Sequence, residues 1–464
     1  MGKGLIEIEV ERVICMRIED LKRIVFDEIR QREEEGYDVM EVKRELLEAE
    51  AKTEAELKVF LERLGQCPIK SDFPYIEPSS FPEIVAERPG KLEEVEVKVS
   101  DEDMFDKIYG GWLGRCAGCL LGKPVEGLTK EQIETWLNIA GEYPLRDYFP
   151  PITDPQSAPK WLKDRLSHLE DAFKKTGMGI LRGQISCMAR DDDIDYTIIN
   201  LHILENYGPA FTTMDVGETW LRLLPYLQVY TAERAAYRNL VNGLQPPETA
   251  TYMNPYREWI GAQIRADMWG YVTPGRPYIA AELAYKDASL SHVKNGIYGE
   301  IFISTMISVA FTTDNVEEII NVGLSAIPRK SRLAEAIRDV IVWRKQFSDW
   351  RETWSRINEK YGRYHPVHTI NNAALVVMGL LYGEGDFEKS ITISVMGGWD
   401  TDCNGATVGS IMGIMLGAKK IPKKWINPLN DRLKSFVIGY DNSRISDLAK
   451  RTFHIAKNMK RAGP

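Results

Sequence analysis

The chain contains no run of about 18 apolar residues, so no membrane-crossing helix is expected. It also lacks long basic blocks. Lys and Arg total 59 against 68 Asp and Glu, a formal charge of −9, and the two signs are interspersed, which disfavours a nucleic-acid partner. Cysteine is scarce: the six present (Cys15, Cys67, Cys116, Cys119, Cys187 and Cys403) make no disulfide framework in 464 residues, and a reducing compartment fits them. The segment 1–11 lacks the basic, apolar and small-residue succession of a secretory signal, so a cytoplasmic location is expected. There is no internal repeat and no G-x-S-x-G nucleophile motif. No second C-x-x-C or His pair completes a zinc site around Cys116 and Cys119. What remains, 44% hydrophobic and 27% charged residues, is a globular composition.

Two regions differ in pattern. Residues 5–10 and 95–99 alternate apolar and charged side chains, which predicts half-buried strands able to pair with each other. Between them, residues 20–35 and 39–65 are rich in Glu, Lys, Arg and Leu at helical spacing, with Thr53 placed to cap a helix over 54–64. A Pro-rich loop follows over 67–90. Residues 1–100 therefore read as a small N-terminal α/β appendage, and residues 101–464, with apolar helical patterns at 198–207, 300–311 and 373–381, as a large all-α multi-helix domain. The Pro-rich segment 143–159 reads as a surface loop.

Gly111, Gly114, Gly118 and Gly122 share one helix face, as do Gly405, Gly409, Gly413 and Gly417. Each glycine inside a helix costs about 1 kcal/mol relative to Ala. Close backbone approach is the natural compensation, so two central, tightly packed helices are expected.

Two acid-rich helix starts stand out. Asp191, Asp192, Asp193 and Asp195 open one helix, and Asp400 and Asp402, after Gly397-Gly398-Trp399, open the helix of the second glycine set. Acids are tolerated at a helix N-terminus, but two such starts in one all-α domain suggest a shared site for hard divalent cations, which prefer carboxylate oxygens. An EF-hand is excluded because its sixth position is Tyr196 and its twelfth His202. The acidic string is also similar to that of all-α isoprenoid diphosphate synthases, although there the second cluster does not follow a Gly-Gly turn.

Three segments together, residues 111–126, 191–194 and 397–417, resemble the ADP-ribosylglycohydrolase family, which includes the dinitrogenase reductase activating glycohydrolases. The resemblance spans most of residues 105–425 and implies the family's all-α fold and a centre of two Mg²⁺ ions. Asp192 and Asp193 match the paired acids of the family's second motif, with Asp191 and Ile194 where it has Thr. Asp400 and Asp402 match the acids of its last motif, with Cys403 at the final Thr, and Cys119 replaces the Asp of the first. Asp191, Asp192, Asp193, Asp400, Asp402 and Cys403 are thus the implied metal ligands, and the thiol favours a softer ion such as Mn²⁺ or Zn²⁺. Glu126 matches the acid after the first motif, and with Asp193 and Asp402 it forms the expected catalytic set.

The segment 261–270 is weakly similar to the family's phosphate-cradling loop and offers Gln263, Arg265 and Asp267 as substrate contacts. Ser291-His292, followed by Asn295-Gly296, is similar to the family's S-H segment lining the ligand cleft and adds His292 and Asn295, while Tyr271, Tyr298 and Trp399 could stack on a base or ring. The expected reaction is metal-assisted hydrolysis of a ribosyl C1 bond, with a small riboside or an ADP-ribosyl compound as partner and Glu126 moving a proton. Two alternatives stand beside it: a diphosphate-dependent all-α synthase, and a catalytically inactive family relative that binds a partner. The basic C-terminal stretch reads as a solvated helix, and these patterns carry no oligomeric state.

Overall fold

The computed structural model describes residues 17–49, 53–154 and 157–461. Helices dominate, and among these residues the named strands are one antiparallel two-residue pair, Leu433–Lys434 with Asn442–Ser443. The appendage carries the helices Ile18–Glu34, Met40–Ala49, Glu54–Gln66 and Phe81–Ala86. Thr53 caps the third through a full capping box with Glu56, as its position predicts. Residues 95–99 run extended without strand pairing, and Val95 donates its N–H to the Gly275 carbonyl (2.8 Å). The α/β reading of the appendage is corrected on this point, because the segment lies along the large domain; its expected partner, 5–10, falls outside the described residues.

Leu21, Val25, Ile29, Leu57, Phe60 and Leu64 belong to a small core of the appendage's own. Buried ion pairs then fasten it to the large domain. Arg257 bonds Glu28 (2.6 Å) and Glu35 (2.9 Å), and Gln31 donates to Glu258 Oε2 (2.7 Å). Arg332 joins Glu258 (2.8 Å), Glu77 (2.7 Å) and the Glu34 carbonyl (2.8 Å). Such charges are stable in the interior only because each is paired and hydrogen-bonded.

In the large domain the apolar patterns become the helices Asp192–Tyr207, Lys294–Val309 and Thr369–Gly383, each longer than its apolar run or displaced from it because buried polar residues also belong to it. Its centre is the glycine seam between helices Asp101–Gly122 and Thr401–Leu416. Gly110, Gly114, Gly118 and Gly122 oppose Gly413, Gly409, Gly405 and Thr401 in antiparallel order, and a Cβ on any of the four would stand 1.9 to 2.3 Å from the opposing carbonyl oxygen. Only hydrogen fits there. Gly110, not Gly111, completes the first face; Gly111 packs instead against Ile414 and Tyr271. Gly417 follows the end of the second helix at positive φ and lies beside Gly110 and Asp106 of the first, without facing a glycine as the other three do.

The seam fixes the site's geometry. Because the helices are antiparallel, the C-terminal end of the first lies beside the N-terminal end of the second, and the Thr401 hydroxyl donates to the Gly122 carbonyl (2.8 Å). The turn carrying Lys123 and Glu126 therefore lands next to Asp400, Asp402 and Cys403.

Candidate active site

The third contributor is the helix Asp192–Tyr207, whose N-cap Asp191 accepts the N–H of Asp193 (3.0 Å). Arg115, fully buried on the first seam helix, secures that helix start. Its guanidinium donates to the Asp193 carbonyl (2.9 and 2.7 Å), to Asp193 Oδ1 (3.1 Å) and to Asp267 Oδ2 (2.6 Å). The second seam helix is secured in the same manner, with Asn372 Oδ1 accepting from the Asp400 N–H (3.2 Å) and from Asn404 (2.8 Å).

Asp191, Asp192, Asp400, Asp402, Cys403 and Glu126 all line one cavity of about 520 Å³. Asp193 is brought to the same place but lies behind the wall, buried between Arg115 and Cys403, whose thiol donates to Asp193 Oδ2 (3.1 Å). Its place behind the wall, holding the helix start, does not fit the catalytic role expected of it; among the described residues it groups with Cys119 and Asp191 as one of two sets whose ligand atoms lie close enough to share an ion. Asp400, Asp402 and Cys403 form the second such group.

The electrostatics follow from burial. Desolvation, reinforced by neighbouring carboxylates, pushes Asp402 and Asp192 well above the usual carboxylate range, and Asp400 upward too. Asp191 is equally desolvated, yet the charge and hydrogen bond of Lys123 outweigh that and hold it low. Desolvation also raises the Cys403 and Cys119 thiols well above their usual range, so both favour the protonated form. Glu126 is the most solvent-open of the six; crowding at the wall and the charges of Asp400 and Asp191 raise it. Asp402 Oδ1 is buried without a hydrogen-bond partner. An orphaned carboxylate oxygen beside further carboxylates is a donor set that suits a divalent cation.

The expected substrate contacts fare differently, since none of them lines this cavity. Arg265 is fully buried and bonds Asp287 (3.0 Å), Glu233 (2.7 Å) and Ser291 (3.2 Å). Asp267 is bound to Arg115, Asn295 to Glu258 (2.8 Å), and Tyr298 donates to the Pro78 carbonyl. His292 is buried with Nδ1 on Ser291 Oγ (2.8 Å), and Gln263 is buried in the interior. Trp399, at positive φ, packs near Trp354 with ring centroids 6.4 Å apart. Arg265, Asp267, Asn295 and Tyr298 thus tie elements together, whereas His292 Nε2 and both amide atoms of Gln263 are buried without a hydrogen-bond partner.

The cavity has walls that the motifs did not single out: Lys123, Arg190, Glu233, Trp259, Thr231 and His365. Lys123 lies between Gly122 and Glu126 and could have been read from that position. Trp259 and His365 stack with centroids 4.1 Å apart and planes at 11°, although 106 residues separate them, so no local pattern announces the pair. Glu233 is presented by Arg265, and burial pushes its carboxyl up to about 7 against that guanidinium.

The fold and site define an all-α protein in which three helix ends deliver carboxylates to one metal-competent cavity. The ADP-ribosylglycohydrolase family model matches residues 100–462, and the chain belongs to that family, which is one of glycosidic hydrolases. A solved chain titled "ADP-ribosylglycohydrolase-related protein complex" is similar at 17% identity and a TM-score of 0.46, covering 76% of this chain and 99% of that one. No curated protein matches the chain.

Proposed function

We propose that this protein is a metal-dependent glycohydrolase that cleaves the ribosyl C1 bond of ADP-ribosylated or related riboside substrates. The observation that carries the reading is the convergence of Asp191, Asp192, Asp400, Asp402 and Glu126 on a single cavity, with Asp402 Oδ1 left without a protein partner. Asp192, Asp400 and Asp402 would hold the divalent cation, Mg²⁺ or Mn²⁺, with Asp191 shared between it and Lys123. The ion when bound would supply Lewis acidity and orientation for ribose hydroxyls and a water.

The remaining steps belong to the chain. Glu126, raised above the ordinary carboxylate range yet open to the cavity, can take a proton from water or give one to the leaving group. Asp191, which Lys123 holds ionised, keeps negative charge in the cavity where an oxocarbenium-like transition state at C1 would form. Trp259 and Tyr230 supply apolar walls that limit water around the sugar. Family membership favours this reading over the diphosphate synthase. A binding role without turnover keeps one observation in its favour, the Lys123 ammonium set among the would-be ligands.

The test is mass-spectrometric detection of sugar released from ADP-ribosylated peptides, ADP-ribose conjugates and free ribosides, with Mg²⁺ or Mn²⁺. Release that stops with EDTA and in Asp402→Ala supports the hydrolase. Absence of release from every substrate by protein that binds metal overturns it in favour of the binding role.

A further inference from the structure

A second cavity of about 480 Å³ adjoins the first and shares Thr231, Trp259 and His365 with it. Its other wall is the appendage. Arg23, Asp27, Arg30, Gln31 and Glu34 lie on one face of helix Ile18–Glu34 and look across at Arg234 and Tyr256 of the large domain. That helix precedes the residues matched by the family model. Its seating is firm, because Glu28, Gln31 and Glu35 are held by the buried network that also includes Arg257 and Glu258, the two residues before Trp259. The stacked Trp259 and His365 rings therefore form the partition between the two chambers.

The chambers differ in charge. The inner one carries six carboxylates, Glu233 included, against Lys123 and Arg190. The outer one carries three guanidiniums against Asp27 and Glu34, and both acids are engaged: Asp27 accepts from the Tyr256 hydroxyl (3.0 Å) and Glu34 pairs with Arg30 (3.1 Å). Arg23 is largely solvent-exposed and reaches Asp20 and the Tyr256 hydroxyl; Arg30 also donates to the Arg363 carbonyl (2.9 Å), and Arg234, lying over the Tyr230 ring (4.8 Å), donates to the Val229 (2.6 Å) and Leu227 (3.3 Å) carbonyls, so each of the three guanidiniums keeps some of its five N–H donors for an anion. A ligand spanning both chambers would place a neutral, hydroxyl-rich part inward and an anion outward.

We propose that the appendage completes the substrate site, its helix Ile18–Glu34 providing a phosphate-binding outer subsite for a phosphorylated riboside whose ribose lies over the inner carboxylates. The proposal rests on the glycohydrolase reading for the inner position, and what it adds is the part that the appendage, outside the residues matched by the family model, plays in holding the substrate's phosphate. Guanidiniums recognise phosphate by paired, charge-assisted hydrogen bonds, and the partition rings offer a face for an attached base. Arg23, Arg30 and Arg234 are thus specificity-determining residues that act on binding and touch no reacting atom.

Calorimetry on the full-length protein with ADP-ribose, AMP and ribose as probes tests this without turnover. ADP-ribose is expected to bind more tightly than ribose, and the double variant Arg23→Ala/Arg30→Ala is expected to lose at least 10-fold in affinity for ADP-ribose, with ribose and Mn²⁺ binding unchanged. Arg23→Ala alone, at an exposed position, keeps the test valid if the double variant folds poorly; a 3-fold or greater loss is expected. Equal ADP-ribose affinity in wild type and variants, or no ADP-ribose binding by wild type that binds Mn²⁺, overturns the subsite while leaving the glycohydrolase reading to its own assay. Arginine-dependent binding of ADP-ribose without hydrolysis keeps the subsite and removes the glycohydrolase reading.

Discussion

Replacing Gly118 by Ala ought to stabilise a helix on propensity alone, by about 1 kcal/mol. The structure predicts the opposite. The new Cβ would stand 1.9 Å from the Gly405 carbonyl oxygen, where ordinary contact begins at 3.4 Å, so the seam would have to open by about 1.5 Å. Both contacting atoms are backbone, and neither can rotate away. Overpacking a tight interior costs about 1–3 kcal/mol and more where backbone must move; taking about 3 kcal/mol and subtracting the propensity gain leaves a net loss of about 2 kcal/mol. The control is Gly65→Ala in the appendage helix Glu54–Gln66, where a Cβ meets nothing within 4 Å; it is expected to gain about 0.5 kcal/mol. Equilibrium urea unfolding measures both. The seam also sets Glu126 against Asp400 and Asp402, so Gly118→Ala should lower metal affinity as well as stability. A Gly118→Ala protein as stable as wild type, or more so, would refute close backbone approach as the reason for the glycines.

Further expectations follow from the charges. Lys123→Met removes the partner of the buried Asp191 and should cost about 3 kcal/mol in metal-free buffer, with part regained on adding Mn²⁺; unfolding curves with and without the ion check this, and an unchanged midpoint would contradict it. Burial raises the Glu34 carboxyl to about 7 despite Arg30. Its folded form therefore holds the proton more tightly than the unfolded one, and the stability this contributes is full below about pH 4.5 and lost as pH rises through about 7. Glu34→Gln, which can still accept from Arg30, should make stability flatter across that window and exceed wild type at pH 8 by about 2 kcal/mol; parallel pH profiles of the two proteins would refute the shift. His292→Ala should lower stability by about 1–3 kcal/mol and leave the KM of any riboside substrate unchanged, because the imidazole bonds Ser291 in the interior and does not reach the cavity; a raised KM in a well-folded variant would return it to the ligand.

The helical class, the appendage helices and the carboxylate pairs were legible because each rests on a local pattern. Thr53 with Glu56, or Asp400 and Asp402 ahead of a small-residue helix, can be read within a few positions. Gly110 and Gly111 both satisfy helical spacing, and only the opposing carbonyls decide between them. The expected substrate contacts lie away from the carboxylate cavity for a different reason. Arg265, Asp267, His292 and Asn295 carry the residue types of a binding loop, and such types serve equally well to join buried helices through hydrogen bonds made within the protein. The residues lining the two cavities that no motif marks, Trp259, His365 and the face of helix Ile18–Glu34, meet through tertiary packing. The strand expected over 95–99 had the correct alternation, but its backbone groups found Gly275 in place of a neighbouring strand.

The most direct test of the central claim is Mn²⁺ binding followed by electron paramagnetic resonance, which separates free from protein-held ion. Wild type is predicted to hold Mn²⁺, to release it to EDTA, and to lose it in Asp402→Asn, a substitution that keeps the side chain's shape and removes its charge. Mn²⁺ that stays free in the presence of wild-type protein, or binds Asp402→Asn equally well, would contradict a metal centre built on these carboxylates.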